Sequence, residues 1–341
     1  MIIALIMLLV IPVGAIEITA PAAPDAVQDL MPAEKESFAQ GLLTVLKASL
    51  SNVAPDLYAA SGCCLSVIAI VLLASIFNTI PGSSTRVVRL VTTLSLTLLL
   101  LGQANTMVHL CAETVTQISD YGKLLLPAMT AALAAQGGAG GATALYAGTA
   151  VFDTILTSII GKLLVPLVYV FLVLAVANSA TGENLMKKMR DLVKWLITSS
   201  LKTILYVFTG YLSITGVIAG TADAAAVKAA KLTISGAVPV VGGILSDASE
   251  AVIVGAGVVK NAVGVYGLLA VAALFLSPFL RMGIQYLLLK FSGALCEVFA
   301  VKEASDLIED FSSAMGFLLG MTGTISFLML ISTICFMRGM G

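Results

Sequence analysis

The chain has 341 residues, 59% hydrophobic and 11% charged, with a formal net charge of −1 and a mean hydropathy of +1.05. A soluble domain carries about 25% charged residues, and a water-soluble fold of this length has too little interior to hide so much apolar surface. The composition excludes an ordinary soluble domain, the near-neutral charge gives no basic surface for nucleic acid, and lipid is the solvent that fits.

The chain begins MIIALIMLLVIPVGA. Its apolar part, Ile2–Val13, has the length of a signal-peptide core and is short for a membrane span. Val13, Gly14 and Ala15 supply small residues where a signal peptidase would cut, so residues 1–15 read as a cleavable signal, with a retained anchor as the alternative. No Lys or Arg precedes the apolar run. Residues 16–56 form a short extracytoplasmic head rich in Pro and acids. Phe38, Leu42, Val45 and Leu46 fall at helical spacing within it, which predicts a short amphipathic helix over Ser37–Leu50.

A helical span needs about 20 apolar residues because backbone groups in lipid must pair within the helix. The runs that qualify are Leu57–Ile80, Leu90–Leu110, Leu196–Ala219, Ala262–Leu280, Gly283–Val301 and Ser313–Met337. Between Leu124 and Ala177 a glycine run at 137–141, Lys162 and Pro166 interrupt the pattern. This stretch reads as one broken span or three shorter ones. The expected fold is therefore all-α: a polytopic transmembrane bundle of about seven spans, up to nine, occupying residues 57–341. Residues 220–261, rich in Gly, Ala and Val with Pro239 inside, are too broken for one lipid-facing helix. They are expected as two short helices at or dipping into the outer face, or lying on it.

Basic residues orient the spans. With the mature N-terminus outside, Arg86, Arg89, Arg281 in a tight turn, and Arg338 fall inside. So does the segment 183–195, ENLMKKMRDLVKW. That segment is expected as an interfacial helix, with Lys187, Lys188, Arg190 and Lys194 facing an anionic inner leaflet and Trp195 at headgroup level. The acidic run Glu303, Asp306, Glu309 and Asp310 falls outside in this scheme.

Enzyme signatures are missing: there is no GxxxxGK[ST], HExxH or GxSxG, and His109 is the only histidine. No cofactor or metal is expected, and the five cysteines read as small buried hydrophobes. The candidates for chemistry are ionisable residues in or near spans: Asp153, Lys162, Lys202, Lys290 and Glu297. A charge at the bilayer centre costs about 2.5–3.5 kcal/mol on insertion scales, so such residues line a polar path, pair between helices, or reach for the interface. GxxxG pairs at Gly216–Gly220 and Gly316–Gly320 permit close helix approach, within one chain or between copies.

The stretch Gly220–Gly264 resembles stage III sporulation protein AE. The residues that carry the resemblance include Lys231, Pro239, Gly242, Asp247, Lys260, Asn261 and Gly264. The order of parts is similar as well: signal-like start, short head, polytopic domain, and a basic inner segment before this stretch. The resemblance implies a non-enzymatic subunit of the channel that links mother cell and forespore. It would sit in the mother-cell membrane facing the intermembrane space. Implied partners are a secretion-type ATPase, ring-forming proteins and a forespore-side protein, with a homo-oligomer also open. A stand-alone secondary transporter is the alternative, because Gly- and Pro-broken segments are what such a site uses.

Overall fold

The computed structural model describes residues 20–32, 38–81, 84–135, 139–214, 262–299 and 301–339. Within them the chain is built from helices. A 3-10 turn, Asp25–Leu30, precedes α1 (Phe38–Thr79) and α2 (Thr85–Ala135). Then come α3 (Ala139–Ile159), a π turn (Ile160–Leu164) and α4 (Val165–Thr181). They are followed by α5 (Asn184–Ile214), α6 (Ala262–Glu297) and α7 (Lys302–Gly339). Six helical segments are long and apolar enough to cross a membrane, with α3 and α4 counting as one. The longest, α2, has 51 residues, about 76 Å at 1.5 Å per residue.

Proline and glycine explain where helices run on and where they stop. Pro55, Pro127 and Pro278 lie inside α1, α2 and α6 without ending them. Packed neighbours and local adjustment make this tolerable in membrane helices. Pro166 follows the π turn at the start of α4. Its ring would collide with the carbonyl four residues back in a regular helix, and the wider turn relieves that crowding. α4 stops at Gly182, whose φ of 71° is left-handed and whose amide donates to the Asn178 carbonyl at 2.8 Å. Glycine alone adopts that conformation without strain.

Three sequence expectations change. The helix expected over Ser37–Leu50 is not separate: it is the first part of α1, continuous through Pro55 with the first span. In the region from Leu124 to Ala177, the part up to Ala135 completes α2, and residues 145–181 make a single crossing. Most consequentially, Arg281 does not sit in a tight turn. The expected pair of spans around it is one 36-residue helix. Arg281 lies mid-helix, its Nε 2.9 Å from Asp56 Oδ2 on α1. With a counter-ion supplied by a neighbour, the charge has no need of an aqueous loop.

Merging two spans moves everything after them. Contacts sort the helix ends into two groups. At one end, Ser75 donates to the Phe299 carbonyl at 3.1 Å, Arg89 lies 3.8 Å from Glu303, and Ser179 donates to the Glu303 carbonyl at 2.9 Å. At the other end, Gly41 abuts Leu269, Gly122 abuts Met329, and Gly264 abuts Met337 and Met129. Consecutive segments therefore alternate in direction. The acidic run Glu303–Asp310 sits at the same end as Arg89 and Arg190, not opposite them, and α7 finishes at the far end. From the sequence that acidic run is expected outside and Arg338 inside; the single α6 crossing reverses both relative to the basic cluster.

α7 is the most enclosed helix, with Phe311, Met315, Leu318, Met329 and Phe336 among its buried side chains. Around it, large apolar side chains face outward: Leu65 and Phe77 on α1, Leu94 and Leu98 on α2, Val173 on α4, Phe291 on α6. Such a surface is unfavourable in water and ordinary in lipid.

Candidate functional site: charge pairs and buried polar contacts in the bundle

Because lipid gives helices no hydrophobic reason to associate, polar contacts between them add specificity. The bundle holds several. Arg190 on α5 donates to Asp310 on α7 at 2.7 Å and to Asp191 at 2.9 Å. The Arg190 and Asp310 side chains are only 12% and 9% exposed. Lys290 on α6 donates to Glu309 on α7 at 2.6 Å, and Lys194 reaches Ser313 at 3.4 Å. These groups, with Arg89 and Glu303, gather at the basic end and join α2, α5, α6 and α7.

Away from that end, apart from the Arg281–Asp56 pair and Asp153, the contacts between helices are neutral. Gln285 on α6 donates to Gln103 on α2. Cys64 and Ser292 lie 2.8 Å apart, and Tyr169 on α4 donates to Asn105 on α2 at 2.7 Å. Thr149 donates to Ser332 at 3.3 Å. All five cysteines are buried, and none is in a disulfide.

The residues singled out from sequence do not converge. Asp153 lies inside, 3% exposed, and accepts a hydrogen bond from Ser119 on α2 at 2.7 Å. Among the described residues its other oxygen has no partner, and neither does the buried Thr157 hydroxyl one turn on. Lys162, in the π turn, faces outward, as does Lys202 on α5. Lys290 finds Glu309, while Glu297 ends α6 on an exposed face.

Of the basic segment 183–195, Lys187, Lys188 and Lys194 are exposed, whereas Arg190 turns inward to Asp310. The segment is the first three turns of α5, not a separate helix. Lys231, Pro239, Gly242, Asp247, Lys260 and Asn261 lie outside the described residues, as does the Gly216–Gly220 pair. Gly264 opens α6 against Met337. Gly316 faces the Tyr286 ring of α6, a packing use within the chain. In the sequence Arg89, Glu303 and Asp310 read only as loop charges that orient the spans, and Gln103 carries no signal; nothing local to any of them points to its partner.

With the architecture in place, comparison with known proteins becomes informative. A family model described as stage III sporulation protein AE matches residues 24–341. The chain belongs to the stage III sporulation protein AE family. It is similar to the stage III sporulation protein AE of Bacillus subtilis (strain 168), with 23% identity over 189 residues. That alignment takes in 55% of this chain and 47% of the relative, so it spans about half the relative's length. No solved structure matches. A member of this sporulation family with six long apolar helical segments is a multi-pass membrane protein.

Proposed function

We propose that this chain is a membrane subunit of the sporulation-specific channel joining mother cell and forespore, serving as scaffold or conduit without enzymatic activity. The observation that carries the reading is the family match over nearly the whole membrane bundle. The charge pairing supports a scaffold: Arg190, Arg281 and Lys290 each find a carboxylate on a neighbouring helix, which fixes the helices relative to one another. In this reading the basic end, with Arg86, Lys187, Lys188 and Lys194, faces the mother-cell cytosol, and the far end faces the intermembrane space. A secretion-type ATPase, ring-forming proteins and a forespore-side protein would be its partners. The chain has no phosphate-binding GxxxxGK[ST] of its own.

Deleting the gene in its native spore former tests the proposal. Forespore development should stop after engulfment while vegetative growth is normal. Normal spore yield would refute it. A second reading, a stand-alone secondary transporter, draws on Asp153, a buried carboxylate with one unpartnered oxygen close to a π turn. Solute flux through vesicles containing this protein alone would favour that reading over the first.

A further inference from the structure

At the basic end, the tail of α1, the start of α2 and the start of α7 enclose a cavity of about 330 Å³ lined by Asn78, Thr85, Arg86, Arg89, Thr92 and Glu303. Its polar groups are unevenly satisfied. Thr92 is occupied, donating to the Val88 carbonyl at 2.8 Å. Arg89 is not: among the described residues its one carboxylate within 4 Å, Glu303, is 3.8 Å away, beyond hydrogen-bond reach, and its buried Nε has no partner. Arg86 is exposed and has no ion pair among the described residues. Two guanidiniums against one carboxylate leave the cavity net positive, even with Glu303 in its wall. The forked donors of arginine suit a phosphate better than a point charge would.

The wall above the cavity is apolar. Leu90, Leu94 and Leu98 follow Arg86 up α2 at four-residue steps, each exposed, and Phe77 and Ile80 are exposed on the adjoining end of α1. A charged cavity at the foot of an outward-facing apolar wall matches a headgroup with its acyl chains. Basic pockets between helices at the cytosolic interface are where anionic headgroups are held. A soluble phosphate would use the arginines and leave the wall idle.

We infer that this cavity binds the phosphate of an anionic glycerophospholipid, held by Arg86 and Arg89, with its acyl chains along the α1–α2 face. The leaflet is the cytosolic one if the basic end faces the cytosol, as argued above. The lipid site itself does not depend on the channel assignment.

Native mass spectrometry of the purified full-length chain, titrated with phosphatidylglycerol, phosphatidylethanolamine, phosphatidylcholine or inorganic phosphate, tests the inference. Phosphatidylglycerol should add one tightly held lipid. Arg86→Gln with Arg89→Gln should weaken that lipid at least about tenfold, while Lys187→Gln with Lys188→Gln leaves it unchanged. Arg86→Lys with Arg89→Lys keeps the charge and should fall between. Thermal unfolding in detergent shows that each variant is folded, and the single Arg86→Gln variant, whose side chain is exposed, serves if the double variant is not. Equal retention of the zwitterionic lipids would overturn the claim of an anionic ligand. Occupancy of the site by inorganic phosphate at the same concentration would overturn the lipid. Equal loss in the lysine variants would reduce the effect to general surface charge.

Discussion

Arg190 and Asp310 meet at 2.7 Å between α5 and α7, both nearly enclosed by the helices around them. A buried pair of this kind gains little over a well-packed apolar pair, but breaking it strands a charge. Arg190→Ala, which leaves buried Asp310 without its partner, should therefore destabilise the protein by about 3–5 kcal/mol, and Asp310→Ala by less, because Arg190 keeps Asp191 at 2.9 Å. Exposed Lys188→Ala should change stability by no more than about 0.5 kcal/mol. Denaturant unfolding of the purified protein in detergent measures all three. A loss in Arg190→Ala no larger than in Lys188→Ala would show that the pair does not form.

Topology gives a sharper test. Single cysteines placed at Lys188 and Asp306, in a chain otherwise without cysteine, should be labelled from the same side of the membrane. Both positions are exposed at the basic end. A cysteine at exposed Ala39, at the far end, should be labelled only from the other side. Membrane-impermeant maleimide on cells and on inverted vesicles makes the comparison. Labelling of the Lys188 and Asp306 positions from opposite sides would restore a turn at Arg281 and break the long α6.

Close packing at the far end is sensitive to one carbon. A methyl group at Gly148 would run into the Tyr211 ring, which already leans on Phe152 with ring centres 5.3 Å apart. An aromatic ring cannot fold aside as a methionine tip can. Gly148→Ala should cost about 1–3 kcal/mol. Adding Tyr211→Ala should remove most of that penalty, leaving the pair clearly non-additive. Thermal unfolding of the four proteins in the cycle reads this directly.

Asp153 offers a fourth test. Asparagine keeps an acceptor for the Ser119 hydroxyl, while alanine leaves that buried donor unpaired at about 1–3 kcal/mol. Asp153→Asn should thus be the milder change in stability. Its effect on spore yield then separates packing from chemistry: a stable Asp153→Asn protein that blocks sporulation would mean the carboxylate itself is required.

How much of this was legible in the chain itself depends on which residue is asked. Leu57–Ile80, Leu90–Leu110 and Ser313–Met337 announced themselves because lipid demands unbroken apolar runs, and that demand is local. The turn imagined at Arg281 shows the limit. A proline and an arginine three residues apart look like a loop unless one knows that Asp56, 225 positions earlier, stands beside them. Arg190 misled for the same reason: its neighbours Lys187 and Lys188 do face outward, and only Asp310 on another helix draws it in. Apolar patterning is written along the chain, whereas the partner of a charge is written in the fold. The family resemblance carried by residues 220–264 was legible without any structure, and the match over residues 24–341 bears it out.

The length of α2 has a further meaning. A bilayer offers only about 30 Å of hydrocarbon, so at an ordinary tilt of about 20° a 51-residue rod leaves more than half of itself outside that layer. Anything that approaches from that side meets a stiff pillar braced by its neighbours. Force or position applied at its tip would be transmitted to the membrane-embedded half.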